Sequence, residues 1–475
     1  MGFDISSDPV AVEERVQEGF EQDTRLPLTD CLSRSDLGKR AETPSATATA
    51  FFSLPSELLH EILSYLSCID LVSLSVTCWY LRDHANNDLL WMRFVNSNLP
   101  SPLDDPAPFD SFKSLYISHH PLWFVVRNKI WFSDAISTGK VILARYDRRR
   151  GTIEAYRIVI ELGGRHSETW PWNPNVAVDS FEPRVRLWLD DPVIQVDQFI
   201  PSPQKPRREW RKAEVRMPMA VEAHRVFNSF ILCRKALPGE RDYRPKLLWP
   251  PETIPSDDRV HICYDEHLSF QGVEDKPQRL DDICESAFRL KRWVQFGNYM
   301  AVSNIGMVIS TYATLGPDLY TPTKEKPYQG IWVGDHSGHG CEFLLLLQRD
   351  GPSLSDHSTV KTLDSNHDSL NSASSPSQEG SLRHPEGRLE AVKLTGDANV
   401  PRGEISFLAE DIGPGGLIRI ADEDIFRGAR VVRSQGHIAS TNFRDGEIVP
   451  LSSHFSSSIH LLHRNNFTSN EPPRG

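Results

Sequence analysis

Apolar positions fall into two regimes along the chain, one with helical spacing and one with strand-like runs. The helical regime begins at Phe51–Leu66, FFSLPSELLHEILSYL. Leu58, Leu59, Ile62, Leu63 and Leu66 recur at i, i+1, i+4, i+5 and i+8, which paints one apolar face on a helix. Pro55 and Ser56 suit its first turn, where a missing N–H costs nothing. The stretch is too short to be stable alone, so its face needs a partner surface. Ser67-Cys68-Ile69-Asp70 then makes a turn, with Asp70 as the expected N-cap of a second helix carrying Leu71 and Leu74. Trp79-Tyr80-Leu81 belongs to a third piece, Asn86-Asn87-Asp88 breaks it, and Leu89, Leu90, Trp91 and Phe94 close the unit.

Beyond a Pro- and Asp-rich linker, Ser97–Pro108, the pattern changes. From Trp123 the chain is aromatic, β-branched and punctuated by turns. Lys140–Arg145 and Thr152–Glu161 read as a hairpin around Tyr146–Gly151. Arg184–Leu189 and Val193–Phe199 read as strands separated by a turn at Asp190-Asp191-Pro192. Arg279–Phe296 reads as a helix, with Asp281 and Asp282 at its start and Ile283, Ala287, Leu290 and Val294 as its stripe. Lys326–Gln348 reads as two strands around the Gly/His turn Gly334–Gly340, and Phe343–Leu347 is apolar on both faces, hence buried on both. Strand signals resume at Arg388–Leu394, Gly403–Ala409, Ala429–Ala439 and Ile459–Leu462. The polar stretches 1–48 and 353–386 show no period and are expected to be disordered.

The ordered series LPSELLHEILSYL, ID-LVSLSVTCWYLRD and N-DLLWMRF resembles an F-box. The resemblance implies docking onto the Skp-type linker subunit of a cullin-RING ubiquitin ligase. The series GIWVGDHSGHGCEFLLL, LTGDANVPRGEISF and GHIASTNFRDGEIVP resembles the C-terminal domain of F-box only protein thirty-one and its fungal relatives. In those proteins the domain is a lipocalin-like, cyclin-D-binding-type barrel that recruits substrates. The chain departs from them at its 353–386 insertion and at His336, where a tyrosine is commoner.

The fold class expected is therefore α+β: an N-terminal F-box of short helices, then an antiparallel lipocalin-like β-barrel. The boundaries are a leader to 48, F-box 49–97, linker 98–118, barrel 119–350, insertion 351–386, barrel 387–463 and a loose tail 464–475. The function implied is substrate-recognition adaptor of a Skp–cullin–F-box ligase acting on a protein client. The alternatives are a lipocalin-like small-molecule binder and an F-box scaffold outside a ligase.

Composition narrows the classes. Hydrophobic content is 39% and the formal net charge is −12, which argues against a general nucleic-acid or anionic-membrane binder. Seven scattered cysteines without a CxxC pair fit a reducing compartment, cytoplasm or nucleus. The opening MGFDIS fits a myristoylation pattern formally, but the bulky Phe3 and acidic Asp4 make it a chance match.

Asp335, His336, His339, Cys341 and Glu342 are metal-ligand types, but their compressed, glycine-broken spacing reads as a structural turn. Gly413–Gly416 is a loop without phosphate-cradle spacing. There is no GxSxG or HExxH, so no catalytic role, cofactor or metal is assigned. The linker-binding residues expected are Leu54, Pro55, Leu58, Leu59, Ile62, Leu63 and Leu66, and aspartate at Leu58 or Leu63 is expected to abolish linker binding. Candidate substrate-binding residues are Trp170 and Trp172 on a rigid loop, which could equally cap the barrel mouth, the basic turn Arg148, Arg149 and Arg150, and Trp332 and His339 of the Gly/His hairpin. The basic loop 201–212 reads as a solvated loop, with nuclear import or a phosphorylated partner as the sharper alternatives.

Overall fold

A computed structural model describes residues 53–135, 137–169, 177–196, 214–218, 226–236, 248–261, 276–294, 309–335, 340–350, 386–397, 400–422, 427–437 and 448–450. Among the described residues six short helices come first: α1 (Ser56–Ser64), α2 (Cys68–Ser75), α3 (Trp79–Ala85), α4 (Asp88–Asn96), α5 (Phe112–His119) and α6 (Trp123–Asn128). Each of α2 to α5 is entered through a side-chain cap, which satisfies N–H groups that a helix of two turns cannot satisfy internally. The cap of α2 is Ser67 rather than Asp70. Ser67 Oγ accepts from the Asp70 amide at 3.2 Å and donates to the Asp70 carboxylate at 2.8 Å.

Two of these helices depart from the sequence expectation. Helix α5 lies inside the stretch read as linker, and buries Phe112 and Leu115. Helix α6 occupies Trp123–Asn128, where β-branched and aromatic residues suggested a strand. Trp123, Phe124, Val125 and Val126 are all buried there, so tertiary burial overrides β propensity.

Among the described residues ten strands follow before residue 314: β1 (Ile130–Ser133), β2 (Lys140–Asp147), β3 (Thr152–Thr169), β4 (Ala177–Val196), β5 (Glu214–Pro218), β6 (Val226–Arg234), β7 (Leu248–Trp249), β8 (Val260–His261), β9 (Ile283–Val294) and β10 (Ile309–Ala313). Eight of them form one antiparallel sheet in the order β4-β3-β2-β1-β10-β9-β6-β5, while β7 and β8 pair separately. The sheet curls into a half-barrel. Edge strands β4 and β5 approach each other, and Asn228 of β6 donates to the Val193 carbonyl of β4 at 3.1 Å. Among the described residues no ladder joins β4 to β5.

The hairpin expected around Tyr146–Gly151 is present. Gly151 sits at φ +67°, and a Cβ there would meet Phe109 and Pro108 at 2.8 Å. Two other readings are corrected. The expected turn at Asp190-Asp191-Pro192 is a bulge within one long strand: Tyr156 pairs with Pro192, while Ile158 pairs with Leu187. The expected helix 279–296 is a single 3₁₀ turn, Leu280–Asp282, followed by β9. Strand β9 is buried on both faces: Phe288 and Leu290 join one core, Cys284 and Ala287 the other. A strand between two cores loses its alternation, and its apolar positions then coincide with helical spacing.

A second antiparallel sheet contains β11 (Gly330–Asp335), β12 (Cys341–Arg349), β13 (Arg388–Lys393), β14 (Ile405–Ala409), β17 (Gln435–His437) and β18 (Ile448–Pro450), in that order. A small hairpin of β15 (Leu417–Ile420) and β16 (Arg430–Val432) lies between β14 and β17 in the chain. The two sheets share a core: Phe132, Val141, Cys284 and Ala287 from the first meet Phe343, Leu345, Leu347 and Val392 from the second. The opposite face of β12 feeds another core through Leu344 and Leu346. Strand β12 is thus buried on both faces, as its sequence predicts. The inside of the first sheet is filled by aromatic rings, with Phe288 centred 4.8 Å from Trp131, 4.7 Å from Phe230 and 5.3 Å from Tyr312.

The helices are fastened to the first sheet through α5 and α6. His119 is fully buried, with Nε2 2.9 Å from the Gly151 carbonyl in the β2–β3 turn. Asn128 donates to the Glu285 carbonyl at 2.7 Å, and Arg127 pairs with the Glu285 carboxylate. On its other side, the Phe112 amide of α5 donates to the Asp88 carboxylate of α4 at 2.7 Å.

Candidate functional site: an apolar helical face and two sheet hairpins

Helix α2 shows how the helical face arises. Its buried positions are Leu71 and Ser75, yet Ile69 and Val72 are apolar too and point to solvent. A helix apolar on more than one side has a second surface to cover. The same excess continues along the chain. Among the described residues, seven of the fifteen exposed large apolar side chains fall within 62–89: Ile62, Tyr65, Ile69, Val72, Val76, Trp79 and Leu89. Trp79 is 75% exposed and Tyr65 82%. Exposed apolar residues concentrated in this way are the kind of surface that partner proteins cover. Beneath it Leu63, Leu71, Leu81 and Trp91 are buried, and the Trp91 indole donates to the Ala85 carbonyl at 2.8 Å.

The expected linker-binding residues therefore divide. Leu58 and Ile62, one turn apart on α1, are exposed, as is Pro55. Leu54 and Leu66 are half-buried, whereas Leu59 and Leu63 are buried. The face also takes in Ile69, Val72, Val76, Trp79 and Leu89, which sequence reasoning did not single out. Their signal was available: they are the apolar positions of α2 to α4 in excess of one buried stripe.

Two histidines support this unit from the side. His60 Nε2 lies 3.0 Å from His84 Nδ1, and the Asn87 amide nitrogen lies 3.3 Å from His60 Nε2.

The basic turn is largely self-paired. Arg150 Nε donates to Asp147 at 2.9 Å and its NH2 to Glu154 at 2.5 Å. Glu154 has no exposed surface, and also accepts from Arg145 at 2.6 Å and from the Tyr156 hydroxyl at 2.9 Å. Burial raises Asp147, but bonds from Arg150 and the Arg149 amide outweigh it and hold the carboxyl below its ordinary value. Arg148 and Arg149 are exposed. Trp332 is half-buried on the outer core of the second sheet, its indole donating to the Tyr328 carbonyl at 2.9 Å. Trp170, Trp172, His336, His339 and the 201–212 loop lie outside the described residues.

Among the described residues no group of three or more His, Cys, Asp or Glu side chains is placed to hold a metal. The 413–416 loop wraps Asp411, whose carboxylate accepts from the Gly413 amide at 2.6 Å. A Cβ on Gly416 would fall 1.7 Å from the Asp411 carbonyl oxygen, so glycine there serves close packing.

Residues 51–97 match the F-box-like family model. That match spans the exposed helical face. Residues 312–456 match the Cyclin D1 binding domain, which covers the end of β10 and the second sheet. No curated protein matches the chain. The F-box-like match supports a general role as a ligase adaptor, and F-box domains bind Skp-type linkers. No helix among the described residues is long and apolar enough to cross a membrane.

Proposed function

We propose that this chain is the substrate-recognition adaptor of a Skp–cullin–F-box ubiquitin ligase, with the helices docked on the linker subunit and the sheets holding a protein client. The observation that carries the reading is the exposed apolar surface at 62–89, coincident with the F-box-like match. Each such side chain buried on a partner contributes about 1.5–3 kcal/mol before association costs. The mechanism is proximity: joining client and linker in one particle raises the local concentration of client lysines at the ubiquitin-loaded enzyme. The half-barrel serves as a rigid platform of lipocalin-like kind, and the cytoplasm or nucleus is where such a complex would work.

The alternative of a small-molecule carrier is less well supported, because the ring cluster of Trp131, Phe230, Phe288 and Tyr312 fills the interior a ligand would need. The test is co-purification of the full chain with a Skp-type linker and cullin. Ile62→Asp combined with Val76→Asp is expected to remove the linker without unfolding the chain. Wild-type recovery of linker with that variant overturns the proposal. Leu63→Asp is a poorer test than its sequence suggests, because Leu63 is buried and its replacement damages the helices themselves.

A further inference from the structure

Strand β4 ends the first sheet and, among the described residues, pairs along one edge only, with β3. Its two halves differ. Ile194 and Val196 are buried, and Asn228 of β6 reaches the Val193 carbonyl, so this end is covered by its own chain. From Arg184 to Asp191 every residue except Leu187 is exposed, and Val185, Trp188 and Leu189 are large apolar side chains among them. Edge strands are ordinarily blunted by lysine or proline, which discourage a second strand. Tryptophan and leucine in water do the reverse.

The backbone places these residues. Arg184 to Leu187 run in register against Glu161 to Ile158, and the strand then bulges between Leu187 and Pro192. The bulge carries Trp188 and Leu189. The Arg157 guanidinium lies 5.6 Å from the Trp188 ring, so one face of the indole is already held by a cation. A ring held in this way has little rotamer freedom left to lose when its other face is covered.

Charge says what fits there. The segment RVRLWLDD has a basic half, Arg184 and Arg186, and an acidic half, Asp190 and Asp191, about an apolar middle. Arg186 is engaged by Glu161 of its own chain at 3.0 Å, and Asp191 lies near enough to Lys140 to favour its charged form. Arg184 and Asp190 are exposed charges of opposite sign placed symmetrically about Leu187. A two-fold axis there sets Arg184 of one copy beside Asp190 of the other, twice, and Val185 beside Leu189, also twice. The segment is thus complementary to itself when two strands run antiparallel. A parallel arrangement would set like charges together.

We propose that residues 184–191 of β4 form an interface between two copies of this chain, joined antiparallel about Leu187. Such a contact uses the same patch on both copies, and so closes at two instead of propagating. The inference stands apart from the adaptor reading, because it involves neither linker nor client.

The test is sedimentation equilibrium of the full chain over a range of concentrations, where the mass is expected to rise towards twice that of one chain. Trp188→Asp is expected to weaken the dimer at least about tenfold and to leave the melting temperature unchanged. Arg184→Asp and Asp190→Arg, each alone, set like charges against one another at both ends, and each is expected to weaken self-association about tenfold. An equimolar mixture of these two variants restores both opposite pairs and is expected to recover the dimer as a mixed pair. The charge variants decide the question even where Trp188→Asp lowers the melting temperature. A chain that stays monomeric at every concentration overturns the proposal and returns the patch to a different partner. A dimer indifferent to both charge variants, or a mixture no more associated than its components, also overturns it, because association through the exposed helical face would be blind to those charges.

Discussion

The helical region and the sheets treat their apolar residues in opposite ways. Between Ile62 and Leu89 the chain leaves seven large apolar side chains in water. Strand β12 buries every residue from Glu342 to Gln348, on both of its faces. Leucine is common in both regions, so its presence does not separate them. The difference is internal sufficiency: each sheet face has another layer to meet, while two-turn helices bury one stripe and leave the remainder for another molecule.

Substitutions can break or sharpen that contrast, and their expected effects run from large to small. Phe288→Ala removes the ring at the centre of the first sheet's interior, and is expected to destabilise by about 3–5 kcal/mol in denaturant unfolding. A loss under about 1 kcal/mol would mean the interior is not packed as described. Next comes Asp134, buried beside β10, where its carboxylate accepts from the Thr311 amide at 2.7 Å. Burial pushes its pKa up to about 6, against an opposing pull from Thr311 and Arg402. A carboxyl raised in the folded state binds its proton more tightly there than when unfolded. Its contribution is therefore full below the ordinary carboxylate pKa and is lost as pH rises through about 6. Asp134→Asn keeps the acceptor and removes the ionisation. It is expected to flatten stability between about pH 4 and 6 and to add on the order of 2 kcal/mol at pH 7. Unchanged pH dependence would show that another group carries it.

Ser67→Ala removes the α2 cap and is expected to cost about 1 kcal/mol. The smallest effect belongs to the exposed face. Val76→Asp or Trp79→Ala is expected to shift stability by no more than about 0.5 kcal/mol. The same changes should still deplete the linker from pull-downs. A large stability loss there would mean that the face is already covered within the chain.

The sequence made much of this arrangement legible. Helices α1 to α4, the β2–β3 hairpin and the doubly buried β12 all follow from apolar period and turn residues. What escaped has a common cause. Helix α6 and strand β9 each carry apolar residues against more than one neighbour, and a residue wanted on both sides erases the period that distinguishes helix from strand. The basic turn Arg148–Arg150, conspicuous in sequence, turns out to have Arg150 occupied by its own carboxylates.

The α5–α6 junction has a consequence for geometry. His119 bonded towards Gly151, Asn128 bonded to Glu285, and Phe112 bonded to Asp88 leave little freedom between the helices and the first sheet. A flexible tether would sweep a client through a wide cone and let many of its lysines take turns. On the adaptor reading proposed above, a stiff bracket would instead fix one bearing and one span, so that the lysine modified would be chosen by where it stands on the client's surface. Lengthening that bracket by a few residues would then change which lysine is reached.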